Sequence, residues 1–101
     1  MTEREGRVRL ESETETPRGW VYAVTMTHPV RGRMRHRVTL SWADHDLISG
    51  GVYPPSRTVE AALVVLLDAD PTVPGALPTR FDISTLRRMI DGFDDLVRAR
   101  L

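Results

Sequence analysis

Polar and apolar positions alternate from Arg7 to Thr16, with Val8, Leu10, Ser12, Thr14 and Thr16 on one side and Arg7, Arg9, Glu11, Glu13 and Glu15 on the other. A period of two is that of a strand whose faces meet different surroundings. Pro17-Arg18-Gly19 marks a turn, since Pro presets φ and Gly tolerates angles closed to other residues. Trp20 to Thr27 is rich in aromatic and β-branched residues, with Trp20, Tyr22, Val24 and Met26 on one face and Val21, Ala23, Thr25 and Thr27 on the other. It predicts a central strand. His28 to Arg33 reads as a loop, after which His36, Val38, Leu40 and Trp42 alternate with Arg35, Arg37, Thr39 and Ser41. Short connections between the three segments predict an antiparallel meander over residues 7–42.

The period then changes. From Pro55 to Asp68, Val59, Ala62, Leu63 and Leu66 recur at helical spacing between a Pro-Pro-Ser start and an Asp-Ala-Asp-Pro stop. Leu63 to Leu67 is apolar on every side, so this helix is either sandwiched or partly a dimer surface; a buried strand is the rival for so short a run. Residues 71–80, with three Pro and one Gly, read as an ordered linker. Asp82 is placed as an N-cap, flanked by Phe81 and Leu86 at the positions of a hydrophobic staple. Ile83, Leu86, Ile90, Phe93, Val97 and Leu101 then predict one amphipathic helix running nearly to the C-terminus. Gly92 within it costs about 1 kcal/mol relative to Ala, which predicts close packing or a bend there. The expected fold is α+β: a three-stranded antiparallel meander followed by two helices packed on one face, βββαα. A single domain over residues 1–101 is expected, with the meander at 7–42 and a loop plus two-helix half at 43–101.

Composition narrows the function classes. The chain has 101 residues, 41% hydrophobic and 28% charged, the balance of a soluble globular domain. Having no cysteine, it can form neither a disulfide framework nor a thiolate metal site. The charged opening Met1 to Arg7 precedes no signal-peptide core, and the longest apolar run, Ala61 to Leu67, is too short to span a bilayer, so a cytoplasmic protein is expected. All 14 basic residues are Arg, while Lys, Asn and Gln are absent. Codon bias in a GC-rich genome accounts for that pattern and lowers the weight of any one Arg as evidence for a specific contact.

The zero net charge hides an asymmetry. Residues 1–42 carry eight Arg against five Glu, whereas residues 43–101 carry six Arg against eight Asp and one Glu, giving +3 and −3. The basic half is densest from His28 to Trp42, where Arg31, Arg33, Arg35 and Arg37 alternate with no acid among them. Such a ribbon is a candidate basic surface for phosphates, but it lacks an aromatic to stack a base. The competing reading is that Glu11, Glu13 and Glu15 share its solvent face and screen it.

The second candidate is the Trp42–Ser56 connection, read as a loop between strand and helix. It contains Trp42, Asp44, His45, Asp46, Ser49, Gly50, Gly51 and Tyr53. In an extended segment Asp44 and Asp46 point one way and His45 the other, a carboxylate pair for a hard cation but a poor three-ligand set. Gly50 and Gly51 suit an anion-cradling turn, yet the Lys of a phosphate-binding loop is missing. A plain turn is the simpler account; in that case the glycines carry stability and Asp44, His45 and Asp46 are nearly neutral to replacement. No Gly-x-Ser-x-Gly elbow is present. No catalytic residue, metal or cofactor is assigned. The expected function is a small cytoplasmic binding domain without catalytic activity, its partner a protein. The alternatives are a nucleic-acid-binding module using the Arg31–Arg37 hairpin and a small hydrolase or isomerase centred on Asp44, His45 and Asp46.

Overall fold

The structure, a computed structural model, describes residues 7–101. The charged opening, read above as carrying no leader, lies outside them up to Gly6. Strands β1 (Val8–Thr16), β2 (Gly19–His28) and β3 (Gly32–Ser41) form the antiparallel meander. Helices α1 (Trp42–Ser49), α2 (Pro55–Asp68) and α3 (Thr72–Gly75) follow, then β4 (Arg80–Asp82), α4 (Ile83–Met89) and α5 (Phe93–Arg98). The sheet order is β1-β2-β3-β4, with β4 parallel to β3. The meander and the α+β class therefore stand, and the linker read at 71–80 contributes a one-turn helix and the start of a fourth strand.

One face of the sheet makes the core. Cross-strand rows place Val8, Met26 and Met34 side by side, then Leu10, Val24 and His36, then Tyr22, Val38 and Phe81. Against these rows lies α2, which is buried from Thr58 to Leu67 except at Glu60. It touches β1 on one side and α1, α3, α4 and α5 on others. The run that is apolar all round is thus sandwiched within the protein rather than turned toward a second copy. Pro55 starts the helix at its first position, where a missing N–H costs nothing. Among the described residues, no helix is long and apolar enough to cross a membrane.

The C-terminal segment departs from the expected single helix. Asp82 does cap α4, its carboxylate accepting from the Ser84 N–H at 2.8 Å, and Phe81 and Leu86 are both buried beside it. The helix then stops: Ile90 is extended, and Gly92, at φ 68° and ψ 22°, turns the chain into α5. A left-handed residue cannot continue a right-handed helix, so Gly92 breaks it where close packing or a bend was expected, and among the described residues nothing apart from its chain neighbours lies within 4 Å of where a Cβ would stand. The break still returns Phe93 and Val97 to the core.

Strand β1 holds the other departure. Its pairing with β2 shifts between Leu10 and Ser12, leaving Glu11 as an unpaired extra residue. Such a bulge reverses the face reached by every later residue. Val8 and Leu10 face the helices before it; after it Glu13 lies opposite Tyr22 and Glu15 opposite Trp20, on the helix side, while Ser12 and Thr14 face outward.

Phe93 is 1% exposed, so Phe93→Ala is expected to cost about 3 kcal/mol or more through lost burial and a residual cavity. Removal of the cap in Asp82→Ala is expected to cost about 1 kcal/mol. Urea unfolding checks both; a Phe93→Ala midpoint equal to that of the unmodified protein contradicts the packing of α5 on α2.

Candidate functional site

The Trp42–Ser56 segment is a short helix and a turn rather than a loop. The Ser41 hydroxyl accepts from the Asp44 N–H at 3.0 Å and starts α1, and Gly50, at φ 66°, ends it with its N–H on the Asp46 carbonyl. Successive side chains of a helix diverge by about 100°. Asp44, His45 and Asp46 consequently point in three directions and do not converge.

Each candidate residue there has a local partner or an open aspect. Asp44, with a side chain only 13% exposed, pairs with Arg87 of α4 at 3.0 Å, and Arg87 Nε reaches both Asp94 oxygens of α5 at 3.0 and 3.1 Å. Asp94, and then Asp44, hold the Arg87 guanidinium in its charged form more firmly than usual. His45 Nε2 donates to the Tyr53 carbonyl at 2.7 Å, and the ring stands edge-on to Trp20 at 5.2 Å between centroids. Ser49 is buried, its hydroxyl donating to the His45 carbonyl and accepting from the Gly51 N–H. Gly51 also has positive φ. Tyr53 lies under the Arg57 guanidinium, and Trp42, half exposed, packs edge-on to Trp20. Of the candidate residues in this segment, Asp46 carries an exposed carboxylate with no ion-pair or side-chain hydrogen-bond partner among the described residues. Chemically the segment acts as a joint that fastens α1 to α4, α5 and the start of α2. Among the described residues no group of three His, Asp or Glu side chains is placed to hold a metal.

The remaining histidines are fasteners too. His28, buried at the end of β2, accepts at Nδ1 from the Val30 and Arg31 N–H groups, and His36 Nδ1 donates to the Pro78 carbonyl from the helix side of β3.

The outer face of the sheet is different. Arg33, Arg35 and Arg37 occupy it on β3, all exposed. Arg31 does not join them: pairing begins at Gly32, and the Arg31 Nε donates to the Pro71 carbonyl at 2.7 Å. Two arginines that sequence reasoning passed over complete the face. Arg9 lies in one cross-strand row with Thr25 and Arg35, and Arg80 of β4 lies beside Arg37. The alternation of residues 7–16 carried a signal for Arg9; Arg80 had none, because its strand is only three residues long.

The bulge removes most of the screening expected there. Glu13 and Glu15 turn to the helix side, where the Glu13 carboxylate accepts from the Tyr22 hydroxyl. Burial, reinforced by that carboxylate, pushes the Tyr22 phenol far above its ordinary range. Glu11 alone remains among the arginines, lining a basin of about 270 Å³ with Arg9, Thr25, Thr27, Arg33 and Arg35. Asp82 shares the outward row with Thr39 but is committed to its helix cap. Ion pairs among the described residues join Asp68 to Arg7 and Arg100, Arg87 to Asp44 and Asp94, and Arg98 to Asp95; none involves Arg9, Arg33, Arg35, Arg37 or Arg80.

Comparison with models of protein families, with curated proteins and with solved structures finds no match.

Because Asp44 is partly buried and paired, Asp44→Ala is expected to destabilise by about 1–2 kcal/mol, where the loop reading made it neutral. Gly50→Ala, forced to keep positive φ, is expected to cost about 1 kcal/mol. Asp46→Ala is expected to be neutral. Denaturant midpoints of the three variants give the ranking; Asp44→Ala as stable as Asp46→Ala contradicts the joint.

Proposed function

We propose that this protein is a binding module that docks a polyanionic partner on the uncovered face of its sheet. The observation that carries the reading is the arginine strip: Arg9, Arg33, Arg35, Arg37 and Arg80 share one face across three strands, with Glu11 the one uncommitted acid among them. Charges held this close repel one another, and an anionic partner relieves the repulsion while releasing counterions. The chain is formally neutral, so the attraction comes from the distribution of charge and not from its sum.

Catalysis at Asp44, His45 and Asp46 finds less support. A general base needs a free acceptor aimed at a substrate. The Asp44 carboxylate is held by Arg87, and His45 donates its Nε2 hydrogen to a backbone carbonyl. Both groups sit in a joint between helices.

The test uses heparin as a generic polyanion. The protein is expected to be retained on a heparin column at low salt, and Arg33→Glu/Arg35→Glu to elute at distinctly lower salt. Arg88→Glu, a single charge reversal at an exposed position on the helical side, is expected to elute with the unmodified protein. No retention at low salt, or an equal loss in Arg88→Glu, contradicts the docking face.

A further inference from the structure

We infer that the partner of this face is the phosphate backbone of a nucleic-acid duplex, bound without regard to base sequence; the inference rests on the docking reading above and adds the identity of the occupant. Two features of the face favour this partner over an acidic protein, and a third favours a duplex over a single strand.

The first is the absence of an anchor. Protein interfaces draw their affinity from a central apolar or aromatic cluster sealed from water. On the outer face the only apolar side chains of β2 are Val21 and Ala23, both already half-buried, and every aromatic residue of the strands faces the helices. Arginines and the threonines Thr25, Thr27 and Thr39 make up the rest of the central strip. Phosphates need nothing else, since guanidinium groups and hydroxyls are the donors that meet them.

The second is repetition. Arg33, Arg35 and Arg37 recur every second residue on one strand, about 7 Å apart. Arg80 flanks this row directly, and Arg9 lies two strands away on its other side. A periodic row of cations with outriggers on both sides suits a partner whose charge also repeats along its length. A nucleic-acid backbone carries its charges at regular intervals whatever its sequence, whereas a protein surface does so only where its own sequence alternates acids along a strand.

The third is the missing stacking platform. Binders of single strands combine a basic groove with aromatic side chains that stack unpaired bases. Here Trp20 and Tyr22 of β2 lie on the helix side, so bases splayed from a single strand meet no ring. A duplex keeps its bases stacked and offers only its backbone, which is what the face can bind.

Anisotropy of a short fluorescein-labelled DNA duplex, titrated with the intact protein at several salt concentrations, tests the inference, with labelled polyglutamate titrated in parallel. With all five arginines engaged, the slope of log K against log salt is expected to be about −4 to −5, and Arg33→Ala/Arg35→Ala to flatten it by about 2 units. Arg37→Ala/Arg80→Ala, at the other end of the strip, is expected to do the same, Arg88→Ala to change nothing, and duplexes of unrelated sequence to agree within a few-fold. Retention on heparin without duplex binding, or tighter binding of polyglutamate than of duplex, overturns the nucleic-acid partner and leaves the docking face standing. Tighter binding of single strands than of duplex overturns the duplex assignment. Binding of neither heparin nor duplex removes both readings together.

Discussion

The arrangement of charge on this protein depends on one irregularity in β1, the register shift between Leu10 and Ser12. Side chains alternate along a strand, so one extra residue sends all that follow to the opposite face. Without the shift, Glu13 and Glu15 would have joined Glu11 beside the arginines and cancelled much of their field. With it, Glu13 accepts the Tyr22 hydroxyl on the helix side, and Ser12 and Thr14 take the outward places. The strand thereby changes from apolar-inward to acidic-inward midway along its length. The inward glutamates are tolerated because β1 is an edge strand and both remain exposed.

Behind the sheet, the polar side chains are spent on holding short helices in place. α1, α4 and α5 are each eight residues or fewer, lengths at which a helix is marginal without tertiary support. Arg87 ties all three together through Asp44 and Asp94, and the Arg98 guanidinium adds a bond to the Leu47 carbonyl. Around them α2 supplies the apolar mass, buried against the sheet and its fellow helices. The division of labour follows: the helical layer commits Asp44, Arg87, Asp94 and Arg98 to structure, and the opposite sheet face leaves its arginines out of ion pairs among the described residues.

Much of the fold was legible in the residues. The three long strands follow from alternation and β-branched content, and the Asp82 cap with its Phe81 and Leu86 staple was visible as a local pattern. What escaped depends on contacts distant in sequence or on very short elements. β4 is three residues whose strand character comes from pairing with β3. α1 was hidden by the Gly and Pro residues that follow it, although Ser41 three residues before Asp44 is a start signal that was available. Gly92 stood out but pointed only to close packing or a bend, because the apolar spacing on either side of it continues as though the helix did. The bulge left no mark at all: Val8 to Thr16 alternates without interruption, and only pairing with β2 reveals that Glu11 has no partner. The candidate surface changed accordingly, losing Arg31 to the Pro71 carbonyl and gaining Arg9 and Arg80.

The open charge of the face requires that Glu11 stand among the arginines and Glu13 on the opposite side of the sheet. Affinity for heparin in Glu11→Gln and Glu13→Gln, measured side by side at low salt, addresses it directly. Glu11→Gln removes the one uncommitted acid on the face and is expected to bind clearly tighter; Glu13→Gln, acting from the far side of the sheet, is expected to produce a much smaller change. Equal tightening by the two variants would show that β1 presents its glutamates together, and tightening by Glu13→Gln alone would show that Glu13 and not Glu11 faces the arginines; either result overturns the register shift as the source of the unscreened face.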